Sequence, residues 1–97
     1  MMNYESKLKN KETDDLFKAV LLLETEDDCY RFFEDLCTIK EIQAMAQRFQ
    51  VAKLLSEKKT YSEIEKITTA STATISRVNR CLVYGADGYK GILKQLK

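Results

Sequence analysis

An all-α, multi-helix fold with a helix-turn-helix is predicted by three observations on the 97-residue chain. It has no proline, and its three glycines all fall at positions 85, 88 and 91, so nothing breaks the first 84 residues except hydroxyl and acidic caps. Its apolar residues recur at helical spacing, i, i+3, i+4, i+7. Residues 60–84 read as a short helix, a tight turn and a second helix rich in small polar and basic side chains, the order of a helix-turn-helix.

The first helix is expected from about Thr13 to Leu23, where Leu16, Phe17, Ala19, Val20, Leu21, Leu22 and Leu23 leave almost no polar side. A helix apolar all round has to be covered all round. Thr25-Glu26-Asp27-Asp28 resembles a capping box with Asp in place of Glu, and opens a second helix to Cys37. That helix carries Cys29, Tyr30, Phe32, Phe33, Leu36 and Cys37 as a wide apolar stripe.

Thr38-Ile39-Lys40-Glu41 is a full capping box, because the threonine oxygen accepts an orphan amide while the glutamate reaches back to the Thr38 amide. The long helix that follows should reach about Glu57, with Ile42, Met45, Ala46, Phe49, Val51, Ala52, Leu54 and Leu55 toward a core. Thr60-Tyr61-Ser62-Glu63 is a third box, before a short helix bearing Ile64 and Ile67. That helix should stop at Thr68-Thr69, since β-branched residues lose χ1 freedom in a helix and hydroxyls offer the backbone other partners. Ser71 or Thr72 can cap the next helix, which runs to about Tyr84 with Gly85 just after it. Asp87 is expected to cap a last short helix holding Ile92, Leu93 and Leu96.

A chain of this length has room for one domain, since two ordinary cores need roughly 100 residues each. Residues 1–97 are therefore read as a single unit, with residues 13–37 set apart from a helix-turn-helix at about 60–84. With 44% hydrophobic residues the chain is neither disordered nor membrane-embedded, and its longest apolar run, AVLLL, is far short of the roughly 20 residues a bilayer requires. No basic start leads into a signal-type stretch, so a cytoplasmic location is expected. Cys29, Cys37 and Cys81 are odd in number, form no CxxC pair and have no histidine to share a metal with. They are expected to be reduced core residues, with no metal bound.

The lack of histidine and of a glycine-rich phosphate loop argues against an enzyme. Net charge is only +1, yet residues 1–37 carry five Lys or Arg against ten Asp or Glu, and residues 38–97 carry eleven against five. One half is thus −5 and the other +6, an asymmetry that suits a polyanion on one side and different work on the other.

The stretch ASTATISRVNRC, residues 70–81, places four hydroxyl residues ahead of two arginines. With Ile75 at zero and about 100° per residue, Val78 and Leu82 lie within about 60° of it as a buried seam. Ala73, Ser76, Arg77 and Arg80 fall between about 100° and 200°, on the opposite flank. Small side chains there let the helix approach base edges in the major groove, and arginines reach guanine or phosphate. Ser71, Thr72 and Thr74 suit phosphate oxygens at the helix N-terminus, with Lys66 nearby. The plainer alternative is a surface helix with ordinary hydroxyl caps.

TYSEIEKITTASTATISRV, with CTIKEIQAMAQRFQVAKLL upstream, resembles the Trp repressor superfamily, and more closely its YerC/YecD-like branch. The likeness spans Thr38 to Leu82 and, more loosely, Asp14 to Leu96; ATISRV is its most specific part. The resemblance implies a Trp repressor-like fold forming an intertwined homodimer, the first two helices wrapping the partner and the helix-turn-helix binding double-stranded operator DNA. It also implies an effector set, since Thr38, Arg48 and Arg77 match the residues that hold a tryptophan corepressor in the founding member. The interval between the two arginines is one residue shorter here. Glycine follows the second arginine there and Val78 here, where a branched side chain fills the ligand space, so no cofactor is expected. Thr38 as a helix cap and Arg48 as a solvated or ion-paired residue are the alternatives. Thr69 stands where glycine often sits in this turn. The expected function is a sequence-specific DNA-binding regulator, a repressor in kind; the rival is a helical module that binds another protein through its acidic half.

Overall fold

The structure, a computed structural model, describes residues 4–96 and is all-helical. Among the described residues there are six helices: α1 (Lys11–Val20), α2 (Glu26–Leu36), α3 (Ile39–Ser56), α4 (Tyr61–Thr68), α5 (Thr72–Tyr84) and α6 (Gly88–Gln95). The chain divides into two compact units between Cys37 and Thr38. The same boundary separates the acidic from the basic half.

The three capping boxes form. Thr38 Oγ1 accepts from the Glu41 amide at 3.1 Å while the Thr38 amide donates to Glu41 Oε1 at 2.8 Å. Thr60 and Glu63 repeat the exchange at 3.1 and 2.9 Å. In the Thr25–Asp28 box the return bond lengthens to 3.3 Å, as a carboxylate one methylene shorter dictates. The Thr60 amide, its hydroxyl and then Lys59 hold the Glu63 carboxyl below its ordinary value of 4.5.

In the first unit α1 begins two residues earlier than the apolar run suggests, because Asn10 caps it by accepting from the Thr13 amide at 2.8 Å. It ends at Val20 rather than Leu23, and Leu21 and Leu22 lie in the turn that follows. Neither α1 nor α2 contains a buried residue, and the two do not pack on one another among the described residues. Phe17, Leu21, Leu22 and Tyr30 are 56–82% exposed. Phe32 and Phe33 meet edge-on, ring centroids 5.6 Å apart.

The second unit has the core. Val51, Ala52 and Leu54 from α3, Ile64 from α4, Ala70 from the turn, Ile75 and Val78 from α5 and Leu93 from α6 are buried together. Phe49, Leu55, Tyr61, Leu82 and Tyr89 pack around them. Here α3 lies against α4, α5 and α6, and α5 against α4 and α6. The amphipathic reading of α3 holds only for its C-terminal half. Met45, Ala46 and Ile39 are exposed and Ile42 is only partly covered, as no neighbouring helix of this unit reaches them. Ile67 is likewise 57% exposed.

The cysteines are free, but they are not core residues of the chain: Cys29 and Cys81 are exposed and Cys37 is half-buried. Cys29 lies on the apolar stripe of α2, which is exposed there, and Cys81 lines an apolar cavity with Phe49 and Tyr89. Asp87 does not cap α6 through its side chain; its backbone is left-handed, φ 67°, and it makes no cap bond. Gly85 closes α5 by donating its amide to the Cys81 carbonyl at 2.8 Å. Its φ of −82° is not left-handed. Glycine is needed there because a Cβ would lie 2.2 Å from that same carbonyl oxygen.

Two helices end on left-handed residues other than glycine. Lys58, φ 66°, closes α3 in a Schellman motif, with Lys59 N donating to Leu54 O and Lys58 N to Leu55 O. Thr69, φ 59°, closes α4. For a β-branched residue that conformation costs about 1–2 kcal/mol, and glycine gives back roughly half of the relief through its freer unfolded chain. Thr69→Gly should therefore raise stability by about 1 kcal/mol, seen as a higher denaturant midpoint at unchanged slope.

Candidate functional site

The turn between α4 and α5 comprises Thr69, Ala70 and Ser71. Thr68 organises it: its hydroxyl donates to the Ile64 carbonyl at 2.7 Å and accepts from the Ala70 amide at 3.1 Å. Gln47 reaches over from α3 and donates from Nε2 to the Thr68 carbonyl at 3.1 Å. Ala70, 4% exposed, is buried under the turn, where a larger side chain would push α5 away. These contacts fix the angle at which α5 leaves the body of the unit. Sequence reasoning did not single out Gln47, since a lone amide on a helix carries no periodic signal.

Ser71 caps α5, accepting from the Thr74 amide at 3.2 Å. Ile75 is fully buried and Val78 is 2% exposed, with Leu82 packed beside them. The opposite flank of the helix, Ala73, Ser76, Arg77 and Arg80, is exposed. These four residues line one concavity of about 250 Å³. Neither arginine, nor the exposed Lys66 at the end of α4, is in an ion pair among the described residues. Their charges are thus available to an external anion, within a half of the chain that is net +6.

The hydroxyls at the start of α5 are partly committed. Ser71 Oγ donates to Thr74 Oγ1 at 3.1 Å, and Thr72 Oγ1 donates to Glu65 Oε1 at 2.6 Å. Thr74, half-buried, keeps its own hydroxyl proton. The amides of Thr72 and Ala73 make no hydrogen bond among the described residues, leaving two donors at the positive end of the helix. Glu65 is a second residue absent from the sequence reading. Only the crossing of α4 and α5 brings it to Thr72, seven residues away.

Two of the three effector candidates lie on α3 or at its cap and the third on α5. Thr38 is exposed and its oxygen caps α3, while Arg48 lies ten residues on, roughly 15 Å along the helix axis at 1.5 Å per residue. Arg48 is half-buried and in no ion pair among the described residues, and Arg77 belongs to the exposed flank of α5. Val78 points into the core instead of leaving space beside Arg77. Elsewhere in this unit Phe49, Cys81, Gly85, Ala86, Gly88, Tyr89 and Ile92 line an apolar cavity of about 550 Å³. No cluster of three or more metal-ligating side chains occurs among the described residues. No described helix is long and apolar enough to cross a membrane.

Residues 11–97 match the family described as Trp repressor protein. The chain belongs to the Trp repressor family. Within it, YerC of Bacillus subtilis (strain 168), an uncharacterized protein, is 57% identical over 91 residues, which are 94% of this chain and 88% of YerC. Two crystal structures share the Trp repressor-like fold. A candidate Trp repressor from Staphylococcus aureus is 51% identical with a TM-score of 0.89, covering 93% of this chain and 90% of its own. A TrpR-like protein from Eubacterium eligens ATCC 27750 is 54% identical with a TM-score of 0.90, covering 93% of both chains. These relatives place the chain in the YerC-like branch of the Trp repressors, a family of regulators and not of enzymes.

Proposed function

We propose that this Trp repressor-family protein is a homodimeric, cytoplasmic, sequence-specific DNA-binding repressor that reads the major groove with α5. The observation that carries the reading is the exposed flank of α5, where Ala73, Ser76, Arg77 and Arg80 form one small-then-basic surface behind a three-residue turn. Ala73, Ser76 and Arg80 face base edges. Phosphates meet Lys66, the Thr74 hydroxyl and the free amides of Thr72 and Ala73 beside the Ser71 cap. Arg77 serves the backbone or an effector with Thr38 and Arg48.

Dimerisation is supported by the first unit. Helices of ten and eleven residues with no buried residue are marginal alone in water, so their apolar stripes require a partner. A second copy supplies the same stripes. The mass in solution at micromolar concentration should be that of two chains, and a monomeric mass would contradict this part of the proposal.

Selection of bound fragments from a random duplex pool tests the whole reading. A palindrome with half-sites about one helical turn apart is expected; failure to enrich any sequence would end it. Arg80→Ala should then weaken binding by about 1–3 kcal/mol and relax the preference at one position, if the guanidinium reads a guanine. Unchanged affinity and site preference would remove Arg80 from the reading face.

The exposed Phe17, Leu21, Leu22 and Tyr30 on the acidic half favour a second reading, a module that docks on another protein without touching DNA. Salt separates the two. Neutralising phosphates makes duplex affinity fall steeply as salt rises, whereas a partner held by apolar contacts tolerates it.

A further inference from the structure

Thr72 lies one helical turn before Ser76 on the same edge of α5, the edge that continues into the Ala73, Ser76, Arg77 and Arg80 concavity. Its hydroxyl has a single proton, and that proton is directed at Glu65 Oε1, 2.6 Å away. This is the length of a hydroxyl donating to an ionised carboxylate. Both residues are exposed, and Glu65 is in no ion pair among the described residues.

The consequence is chemical. With its proton spent, Thr72 offers only oxygen lone pairs outward, and the carboxylate beside it is also acceptor-only. These two side chains repel the O6 and N7 atoms of guanine and leave phosphate oxygens to the backbone amides at the start of α5. They attract an exocyclic amino group. In the major groove cytosine presents its N4 amino group with no acceptor beside it, while adenine sets N7 next to its N6 amino group.

We infer that Glu65 and Thr72 together form a base-reading element that selects cytosine through its N4 amino group at the edge of each half-site. The inference rests on the DNA-binding reading above and assigns a specificity-determining role to Glu65. The negative charge of the same carboxylate also weakens the sequence-independent attraction to any duplex, and so widens the gap between specific and non-specific affinity.

The test measures equilibrium binding of the full chain to the selected duplex and to duplexes carrying all four base pairs at each position. The proteins are wild type, E65Q, T72V and T72S, each checked for unchanged helicity by circular dichroism. The wild type should favour cytosine at one position of each half-site by roughly tenfold, the discrimination of one good base contact. E65Q, which gains an amide donor, and T72V, which loses the hydroxyl, should both flatten that preference, and T72S should keep it. E65Q should also bind unrelated duplexes more tightly. If E65Q and T72V reproduce the wild-type profile at every position, the pair is only a tether between α4 and α5 and the inference is overturned. If the wild type binds no duplex at all, the DNA reading itself fails and the inference goes with it, an outcome recognisable from the wild type alone.

Discussion

Ile75→Ala is expected to lower the free energy of unfolding by about 2–5 kcal/mol, the range for truncating a large aliphatic side chain at a fully buried site. Ile75 is completely inaccessible and sits at the middle of the seam that α5 presents to the core. Two losses add: the transfer free energy of the removed methyl and methylene groups, and the cavity they leave among Val51, Ala52, Ile64 and Val78. Little of that cavity can close, because Gln47 and the buried Ala70 hold the turn in place. For a chain of this size the midpoint of thermal unfolding should drop by about 10 °C or more. A change of under about 1 kcal/mol in chemical denaturation would mean that α5 is not seated as described.

Ala73→Glu should leave the fold intact and abolish specific DNA binding. Ala73 is exposed, so in the free protein a glutamate there meets solvent and the Arg77 guanidinium one turn on, neither of which disturbs the core. On the duplex it stands on the flank that enters the groove, where added length holds the helix off the bases and added negative charge meets phosphate. Losing register leaves only the sequence-independent background, so affinity for the selected site should fall by roughly a thousandfold or more. Ala73→Ser, smaller and uncharged, should retain most of the affinity. Fluorescence anisotropy with a labelled duplex reads both, and unchanged binding by the glutamate variant would move the contact surface elsewhere.

Much of the fold could be read in advance because it is written locally. The threonine–carboxylate boxes at Thr25, Thr38 and Thr60 mark helix starts within three residues of chain, and each forms. The Ile75, Val78 and Leu82 spacing placed the inner side of α5 and hence its outer side. Periodicity identifies an apolar stripe but not what covers it. Met45 and Cys29 fall on such stripes, and the chain leaves both exposed. The end of α3 carries no glycine signal, since Lys58 takes the left-handed position itself.

The candidate site was legible where it follows from one helix and illegible where it needs two. Ala73, Ser76, Arg77 and Arg80 share a flank by arithmetic along α5 alone. The Glu65–Thr72 bond and the Gln47 brace depend on how α4 and α3 cross the turn, which no spacing in the sequence encodes. Thr38 and Arg48, matched by resemblance, stand ten residues apart on α3, roughly 15 Å along its axis.

Whether the bare flank of α5 lies in the major groove is decided most directly by methylation interference on the selected duplex. Guanines methylated at N7, an atom that faces the major groove, should block binding when they fall within each half-site, at positions one helical turn apart. Interference confined to adenine N3 in the minor groove, or none from either base, would contradict the account.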